Sequence, residues 1–256
     1  MTKLLQGRTA LITGAGSGIG RDLALSLAKM GARVGVAVRR PETGEETAQL
    51  IADEGGEAHV IPMDVTEEAS VKAGVAQFVA RAGGLDIMVH NANNSNSAYP
   101  CPAEEVDRET WLSQSRVALG GAFLTAREAY PHLKRSKHAR YLTLSSAFGF
   151  HGAAMNTVYA AQKSAFRGFV RSLAREWGAD GITVNAIGPS AATEPTRNFF
   201  AQNPARAEAY LRKFPMARMG DPRRDIADPF AMLCTDPFSY MTGQIIFFDG
   251  GLYPTG

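Results

Sequence analysis

Three side chains in the stretch YLTLSSAFGFHGAAMNTVYAAQKSAF have the right types to move a proton together. Tyr159 and Lys163 are four residues apart, a spacing that brings two side chains to one face of a helix. Ser146 lies 13 residues before the tyrosine, at the end of an apolar run typical of a strand. A tyrosine and a lysine at this spacing are more often only a surface pair, so the rest of the chain decides between the two interpretations.

The chemistry that these side chains suit is proton transfer to a carbonyl oxygen or from an alcohol. An unperturbed tyrosine has a pKa of about 10, too high for an efficient base near neutral pH. A nearby ammonium favours the phenolate, so we expect Lys163 to lower the pKa of Tyr159. The hydroxyl of Ser146 can hydrogen-bond the substrate oxygen and hold it against the phenol. Together the three residues indicate proton transfer coupled to hydride transfer.

A glycine-rich turn near the start of the chain, TALITGAGSGIGRDLAL, predicts a strand, a loop and a helix in that order. Small residues in such a turn let the backbone approach a pyrophosphate, which sits on the N-terminus of the helix. The spacing differs from G-x-G-x-x-G because Ile19 occupies the place of the third glycine. Glycines also serve close packing, but the position after the first strand favours a dinucleotide-binding turn.

The end of the second predicted strand, VGVAVRRPE, indicates which dinucleotide binds. An acidic residue there would bind both ribose hydroxyls of NAD. This chain has Val38 at that place, followed by Arg39 and Arg40. Two guanidinium groups can pair with the 2′-phosphate of NADP, although they would also suit a solvated basic loop. We therefore predict NADP (NADPH) as the cofactor, with NAD as the alternative.

An alternation of strands and helices must position these residues. Seven short apolar runs predict buried strands at 9–13, 33–38, 58–64, 85–90, 140–146, 182–187 and 244–249. Helical patterns between them indicate right-handed βαβ units. The predicted fold class is α/β, a single doubly wound Rossmann-type domain over residues 1–256 with a seven-stranded parallel sheet and helices on both faces. The polar, proline-interrupted segment 193–220 breaks the alternation and is expected to form a lid.

Composition restricts the other classes of function. The 256 residues carry a net charge of +2 without a dense run of Lys or Arg, which argues against nucleic acid or an anionic membrane as a partner. No apolar stretch reaches the roughly 18 residues of a membrane span, and the first apolar run is too short for a signal peptide. Cys101 and Cys234 suit a reducing compartment, and the five histidines lack metal-ligand spacing. We expect a cytoplasmic protein that binds no metal.

Taken in order, the motifs of this chain resemble the short-chain dehydrogenase/reductase family over nearly its whole length. The turn TGAGSGIG (13–20) is similar to that family's cofactor turn, and MDVT (63–66) to the strand end that meets adenine. HNAN (90–93) is similar to N-N-A-G, and NAIGPS (185–190) to N-x-x-x-P-G beside the nicotinamide. Single motifs of this kind are weak, but the ordered set is specific.

The resemblance implies roles for individual residues. Tyr159, in a Y-x-x-x-K motif, would be the acid/base, and Ser146 would stabilise the substrate oxygen. Lys163 would lower the pKa of the tyrosine and bind the nicotinamide ribose. The family also implies a homotetramer. The residues predicted to bind the cofactor are Gly14, Ser17, Gly18, Ile19, Gly20, Arg39, Arg40, Asp64, Val65, Asn91, Ala92, Tyr159, Lys163, Pro189 and Thr193.

Three positions depart from the family's pattern. Ala118 stands where an asparagine is usual, and that asparagine helps to hold a water that links the lysine to solvent. Water or a neighbouring polar group, such as Gln114 or Ser115, would have to replace it. Asn93 replaces the glycine of N-N-A-G, before the polar run NSNSAYPCP, which lines the substrate entrance or is a solvated loop. Ser190 replaces the glycine of P-G.

Two functions of different class follow. The first is an NADP(H)-dependent alcohol dehydrogenase or carbonyl reductase acting on a small-molecule ketone or secondary alcohol, which the retained serine, tyrosine and lysine favour. The second is a dinucleotide-binding regulator or scaffold that has lost its chemistry, which the three departures favour. Within the first, a preference for NAD is the alternative to NADP.

The sequence leaves the substrate open. Phe199, Phe200, Tyr210 and Phe214 lie in the predicted lid and would suit an apolar or aromatic substrate, but they would equally pack the lid itself. His151 lies between the predicted catalytic serine and tyrosine. It would either face the substrate or be a partly exposed loop histidine.

Overall fold

The computed structural model describes residues 3–94, 97 and 99–253, and its parallel strands form one sheet. The strands are β1 (Thr9–Thr13), β2 (Arg33–Val38), β3 (Glu57–Pro62), β4 (Ile87–His90), β5 (Arg140–Leu144), β6 (Thr183–Pro189) and β7 (Ile245–Phe248). Their order across the sheet is β3-β2-β1-β4-β5-β6-β7. The predicted doubly wound Rossmann-type fold with seven parallel strands is confirmed. Strand ends differ locally, and β5 ends at Leu144, before Ser146 of the predicted site.

Helices cover both faces of this sheet. They are α1 (Gly18–Lys29), α2 (Pro41–Asp53), α3 (Glu68–Ala82), α4 (Arg108–Ser115), α5 (Gly121–Leu133), α6 (Phe148–His151), α7 (Thr157–Trp177), α8 (Glu194–Gln202), α9 (Pro204–Leu211) and α10 (Asp228–Leu233). On one face Leu23, Ile51 and Phe230 belong to one apolar core, and on the other Phe78 and Trp177 belong to a second. In the described ranges no helix combines the length and the apolar character needed to cross a membrane.

The strand order places a crevice at the carboxyl edge of the sheet. β1 pairs with β2 on one side and with β4 on the other. The connections that leave these strands therefore run in opposite directions, and ligands of such folds bind where the order reverses. The glycine turn follows β1, and the predicted catalytic serine follows β5, two strands away.

The helix that precedes β5 is irregular where the family resemblance expects an asparagine. A π-helical stretch, Arg116–Gly120, joins α4 to α5. Ala118 is the buried residue of this stretch, and the stretch packs against α7. Such wide turns occur frequently at functional sites. The family resemblance implies a helix here but does not predict this π-helical turn.

The segment 193–220 forms the two short helices α8 and α9, and a bridge between Ala191 and Gly220 joins its two ends. Its aromatic residues contact one another. The ring centroids of Phe200 and Tyr210 are 5.6 Å apart, and those of Tyr210 and Phe214 are 5.4 Å apart. The structure thus favours the interpretation in which these residues pack the segment itself.

Candidate active site

The glycine turn is held between β1 and the residues that follow β4. Asn91 donates from Nδ2 to the carbonyl oxygens of Thr13 and Gly14, at 3.0 and 3.1 Å. A Cβ atom at position 20 would collide with the Gly14 oxygen and with Asn91 Nδ2. Gly20 is therefore the glycine that this close packing requires, which explains how Ile19 can occupy the place of the third glycine.

The N-terminus of α1 fits a phosphate group. Ser17 precedes the helix, yet its side chain makes no capping hydrogen bond. The first N–H groups of the helix are thus left for an anion. Arg21 donates to the Gly16 carbonyl at 2.6 Å, and Thr47 donates to the Ala15 carbonyl at 3.0 Å. These two bonds occupy carbonyl oxygens that would otherwise repel a phosphate. Sequence reasoning missed both donors because they lie on helices.

Arg39 and Arg40 lie directly beside the glycine turn. The Gly14 amide donates to the Ala37 carbonyl at 2.8 Å, which joins the turn to the end of β2. Both arginines are exposed, and neither guanidinium has a hydrogen bond or ion pair within the described part of the chain. They are therefore available for an anionic group bound at the turn.

The other residues assigned to the cofactor lie along the same edge of the sheet. Asp64 and Val65 follow β3, and Ala92 follows β4. Pro189 ends β6, and Thr193 directly precedes α8. Fold and sequence thus bring these residues to one crevice. Their contacts with a cofactor stay predictions.

The serine, the tyrosine and the lysine meet after the end of β5. The side chain of Ser146 lies beside the Tyr159 hydroxyl, close enough to lower the pKa of the phenol. Lys163 is only 4% exposed, and its Nζ lies 5.4 Å from the centroid of the Tyr159 ring. Nζ donates to the Leu144 carbonyl at 2.7 Å. Phe148 packs edge-on against the Tyr159 ring, with centroids 6.2 Å apart. The phenol is thus held in place by three neighbours.

Helix α6, which the sequence pattern did not predict, closes one side of this site. A Cβ atom at Gly149 would lie 2.5 Å from the backbone of Lys163, so α6 packs against α7 at a distance that only glycine allows. His151, at the end of α6, is exposed and stacks on Tyr253 with ring centroids 4.9 Å apart. Its place agrees with a surface histidine, although in a helix rather than a loop.

Burial shifts the pKa values of the tyrosine and the lysine in opposite directions. It raises the pKa of Tyr159 above the usual 10.0, and the Ser146 side chain opposes this only in part. That Lys163 by itself favours the phenolate stays a prediction, since burial is the larger effect and sets the upward direction of this pKa. Burial also lowers the pKa of Lys163, from 10.5 to about 8.

His90 is a buried polar residue of the site that sequence reasoning did not single out. Its Nε2 lies 3.0 Å from the Ala118 carbonyl oxygen, which only accepts, so Nε2 carries the proton. Its Nδ1 lies 3.4 Å from Thr13 Oγ1. Burial, and then the charge of Lys163, lower the pKa of His90 from 6.5 to about 3. His90 is therefore neutral at physiological pH and connects β4 to the π-helical stretch.

We expect His90→Asn to flatten the acid side of the stability curve. The unfolded histidine binds a proton near pH 6.5 and the folded one only near pH 3, so stability is full above pH 6.5 and is lost as the pH falls through this window. The loss from this group is at most about 1.4 kcal/mol per pH unit. Urea unfolding at neutral pH and within the window measures it. The exposed His151→Asn should keep the wild-type slope, and equal slopes for wild type and His90→Asn would refute the expectation.

Ser190 and Asn93 are the other two positions that depart from the family's pattern. The Ser190 side chain lies close enough to the Tyr210 hydroxyl to oppose the rise that burial causes in its pKa, which brings the end of β6 next to α9. Asn93 Oδ1 is buried and has no partner in the described ranges. Part of the predicted substrate entrance, residues 95, 96 and 98, lies outside the described residues.

Known proteins similar to this chain share its fold and length. Residues 14–253 match the sequence model of a family described as Enoyl-(Acyl carrier protein) reductase. The 2-dehydro-3-deoxy-D-gluconate 5-dehydrogenase of Bacillus subtilis is 32% identical, over 96% of this chain and 95% of that protein. A structure from Sinorhizobium meliloti, assigned as a short-chain alcohol dehydrogenase, is 35% identical over 97% of both chains, with a TM-score of 0.90. One from Beutenbergia cavernae, assigned as an NAD(P)-dependent gluconate 5-dehydrogenase and holding NADP at low occupancy, is 33% identical over 98% of this chain and 99% of that one, with a TM-score of 0.89.

Fold, site and similarity together define a dinucleotide-dependent oxidoreductase. The chain belongs to the short-chain dehydrogenase/reductase family. The predicted resemblance is confirmed over nearly the whole sequence. The names of the relatives cover different substrates, an acyl carrier protein derivative and a sugar acid among them, so family membership leaves the substrate open.

Proposed function

We propose that this protein is an NADP(H)-dependent oxidoreductase, an alcohol dehydrogenase or carbonyl reductase, that transfers a hydride between nicotinamide and a ketone or secondary alcohol. The observation that carries the proposal is the Ser146 side chain beside the Tyr159 hydroxyl, with Lys163 buried against the same ring. Two hydroxyl groups side by side can bind one carbonyl oxygen from two directions. Burying an ammonium is costly, and a role in proton transfer gives a reason for keeping it there.

In the direction of reduction, Tyr159 donates its phenolic proton to the substrate oxygen. The hydroxyl of Ser146 holds that oxygen against the phenol and stabilises its developing charge. The ammonium of Lys163 stabilises the phenolate that remains. Because burial raises the pKa of Tyr159, the phenol is protonated across neutral pH and is ready to act as the acid. In the reverse direction the phenolate takes the proton from the alcohol.

The chain's residues fit a bound NADP(H), which supplies or accepts the hydride. The uncapped turn at α1 would hold the diphosphate, and Arg39 and Arg40 would bind the 2′-phosphate. Asp64 and Val65 would lie at the adenine. The residues proposed for the nicotinamide half are Asn91, Ala92, Tyr159, Lys163, Pro189 and Thr193. The NADP in the Beutenbergia cavernae relative supports this choice of cofactor.

Turnover of a carbonyl panel tests the proposal. The panel contains a cyclic ketone, an aromatic ketone, a keto acid and a 3-oxoacyl thioester, and the readout is the oxidation of NADPH. We expect steady turnover of at least one member, and the matching alcohol to reduce NADP in the reverse direction. Binding of NADPH without turnover of any carbonyl or alcohol would instead support the regulator or scaffold.

The pH dependence should report the charge of Lys163. At saturating NADPH we expect the rate of ketone reduction to be level well below pH 8 and to fall as the pH rises through about 8. The reason is that the lysine loses the proton whose charge stabilises the phenolate. In Lys163→Arg the cation persists, so any residual activity should lack this fall. A rate that rises with pH across the same range would contradict the role of the lysine.

Three further proposals concern the protein as a whole. We propose that the segment 193–220 closes over the substrate, which the proximity of the Ser190 and Tyr210 side chains supports. We also propose a homo-oligomer, a tetramer as the family implies, supported by the half-buried apolar side chains of Ile246 and Phe248 on the edge strand β7.

We propose a cytoplasmic location, which is supported by two cysteines that are both free.

A further inference from the structure

Gln162 is buried directly before Lys163, and its amide has no protein partner. The residue is 2% exposed, and neither Oε1 nor Nε2 has a hydrogen-bond partner among the described residues. An unsatisfied buried polar atom costs on the order of 1–3 kcal/mol. Buried water is the usual partner of such a group. A leucine would fill similar space without this cost, so packing alone does not explain a glutamine here.

The helical repeat places Gln162 on the side of α7 that faces α4. Val158 lines the same cleft as Trp111 of α4. Gln162 follows Val158 by four residues, and Gln114 follows Trp111 by three. Both glutamines therefore lie about one turn further along the packing contact between α7 and α4, which we call the seam. Gln114 is 7% exposed, and its Oε1 has no partner in the described ranges either. The seam between α4 and α7 thus contains two amides with unused hydrogen-bonding capacity.

His90 marks the inner end of this seam. Its Nε2 bonds the carbonyl of Ala118, one turn after Gln114. Its ring lies 6.4 Å from that of Phe166, one turn after Gln162. The two helices therefore run in the same direction, and the two amides lie between the surface cleft and His90. Ala118, at the inner end, takes up less volume than the amide side chain that the resemblance predicts there.

The Lys163 ammonium has N–H groups left to donate. An ammonium has three N–H donors, and in the described part of the chain Nζ donates to one acceptor, the Leu144 carbonyl. The titratable groups that face it are Tyr159 on its own helix and His90 on β4. His90 does not accept from it, since its Nε2 proton bonds Ala118 and its Nδ1 faces β1.

We propose that Gln162, together with Gln114, binds water beside Lys163 and is the positioning residue of a proton route from solvent to the pair of Lys163 and Tyr159. This inference rests on the proposed function. Each carbonyl reduced takes up a hydride at carbon, which a bound NADPH would supply, and a proton at oxygen, which Tyr159 donates. The phenolate regains a proton through Lys163, the bound water returns one to the lysine, and solvent supplies that proton. The amide missing at position 118 is thus provided by the neighbouring helices.

Gln162→Leu tests this route. We expect kcat for ketone reduction to fall about tenfold, because proton return becomes slow, while the KM for NADPH stays unchanged. The solvent isotope effect on kcat in D₂O should increase, which a merely structural role of the glutamine would not produce. Gln49→Leu, which removes an exposed glutamine of α2, is the matched control and should match wild type in both readouts.

Two further variants keep the test decisive. Gln114→Leu should raise the solvent isotope effect in the same direction, and it carries the test if Gln162→Leu does not fold. Ala118→Asn in the Gln162→Leu background should restore part of kcat. A wild-type kcat and isotope effect in both leucine variants would overturn the inference, as would a crystal structure in which the Gln162 amide bonds protein atoms without water. If either contradicting result is found while wild type is active and Tyr159→Phe is not, only the proton route is refuted. If wild type reduces no carbonyl, the proposed function itself fails.

Discussion

Replacing Tyr159 by phenylalanine is expected to lower kcat for ketone reduction about 10³-fold, which lies within the range for loss of a general acid. The substitution removes one oxygen atom and leaves the ring, so the contacts with Phe148 and Lys163 persist. What is lost is the proton donor and its interaction with the Ser146 side chain. Steady-state kinetics with NADPH and the best ketone of the panel measure the loss. Fluorescence titration of NADPH should show that cofactor binding is retained.

Tyr240→Phe is the matched control for this experiment. Tyr240 is fully exposed, so removal of its hydroxyl should leave kcat and KM at their wild-type values. If Tyr159→Phe kept more than about a tenth of the wild-type kcat, a group other than the phenol would supply the proton. Loss of NADPH binding together with activity would instead indicate a damaged site.

Replacing Arg39 and Arg40 by alanine together is expected to raise the KM for NADPH about 100-fold, with little change for NADH. Each hydrogen bond to a charged group contributes about 1.5–3 kcal/mol, and about 2.8 kcal/mol corresponds to 100-fold. NADH lacks the 2′-phosphate, so it has no such bond to lose. Both side chains are exposed and unpaired within the described residues, so the substitutions should leave the fold intact. Steady-state kinetics with each cofactor separate the two effects.

The control for the arginines removes the same charge elsewhere. Lys72 and Arg81 are exposed on α3, on the sheet face opposite to α1, and their double replacement by alanine lowers the net charge equally. It should leave both KM values unchanged. An equal rise of KM for NADPH and NADH in the Arg39 and Arg40 variant would refute binding of the 2′-phosphate. It would indicate instead that the two arginines support the shape of the glycine turn.

The sheet could be predicted because its strands are buried on both faces. Such strands read as almost unbroken apolar runs, and the chain between them follows a helical period. The ends of the strands were harder to predict, since a strand ends where hydrogen-bond partners end and not where apolar residues do. The run RYLTLSS continues to Ser146, but β5 stops at Leu144. This difference frees the serine to turn toward Tyr159.

The side chains of the site could be predicted as residue types, but not their electrostatics. Ser146, Tyr159 and Lys163 come together as their spacing indicated. The net direction of the tyrosine pKa could not be predicted, because it depends on how deeply the phenol is buried and on where the ammonium lies. Spacing along a chain contains neither quantity. Only the packed structure shows the burial of the phenol and the bond of Lys163 to the Leu144 carbonyl.

His90 and Gln162 could not be recognised from sequence for a related reason. Each is a polar residue in an otherwise apolar environment, and its meaning depends on the partner that it finds or lacks. His90 finds the carbonyl of Ala118 across the crevice, whereas the amide of Gln162 has no protein partner among the described residues. One signal was available: Gln162 is adjacent to Lys163, on the side of the helix that continues from the apolar Val158.

Transfer of deuterium from NADPH labelled at both C4 positions to the ketone that turns over best would establish hydride transfer at this site. With the wild-type protein we expect mass spectrometry to find deuterium on the carbinol carbon of the alcohol product. With Tyr159→Phe, which still binds NADPH, we expect a product yield lower by about the factor in kcat. Labelled NADPH that binds to the wild-type protein but transfers no deuterium to any carbonyl, or a transfer that is undiminished in Tyr159→Phe, would contradict the proposed role of Ser146, Tyr159 and Lys163.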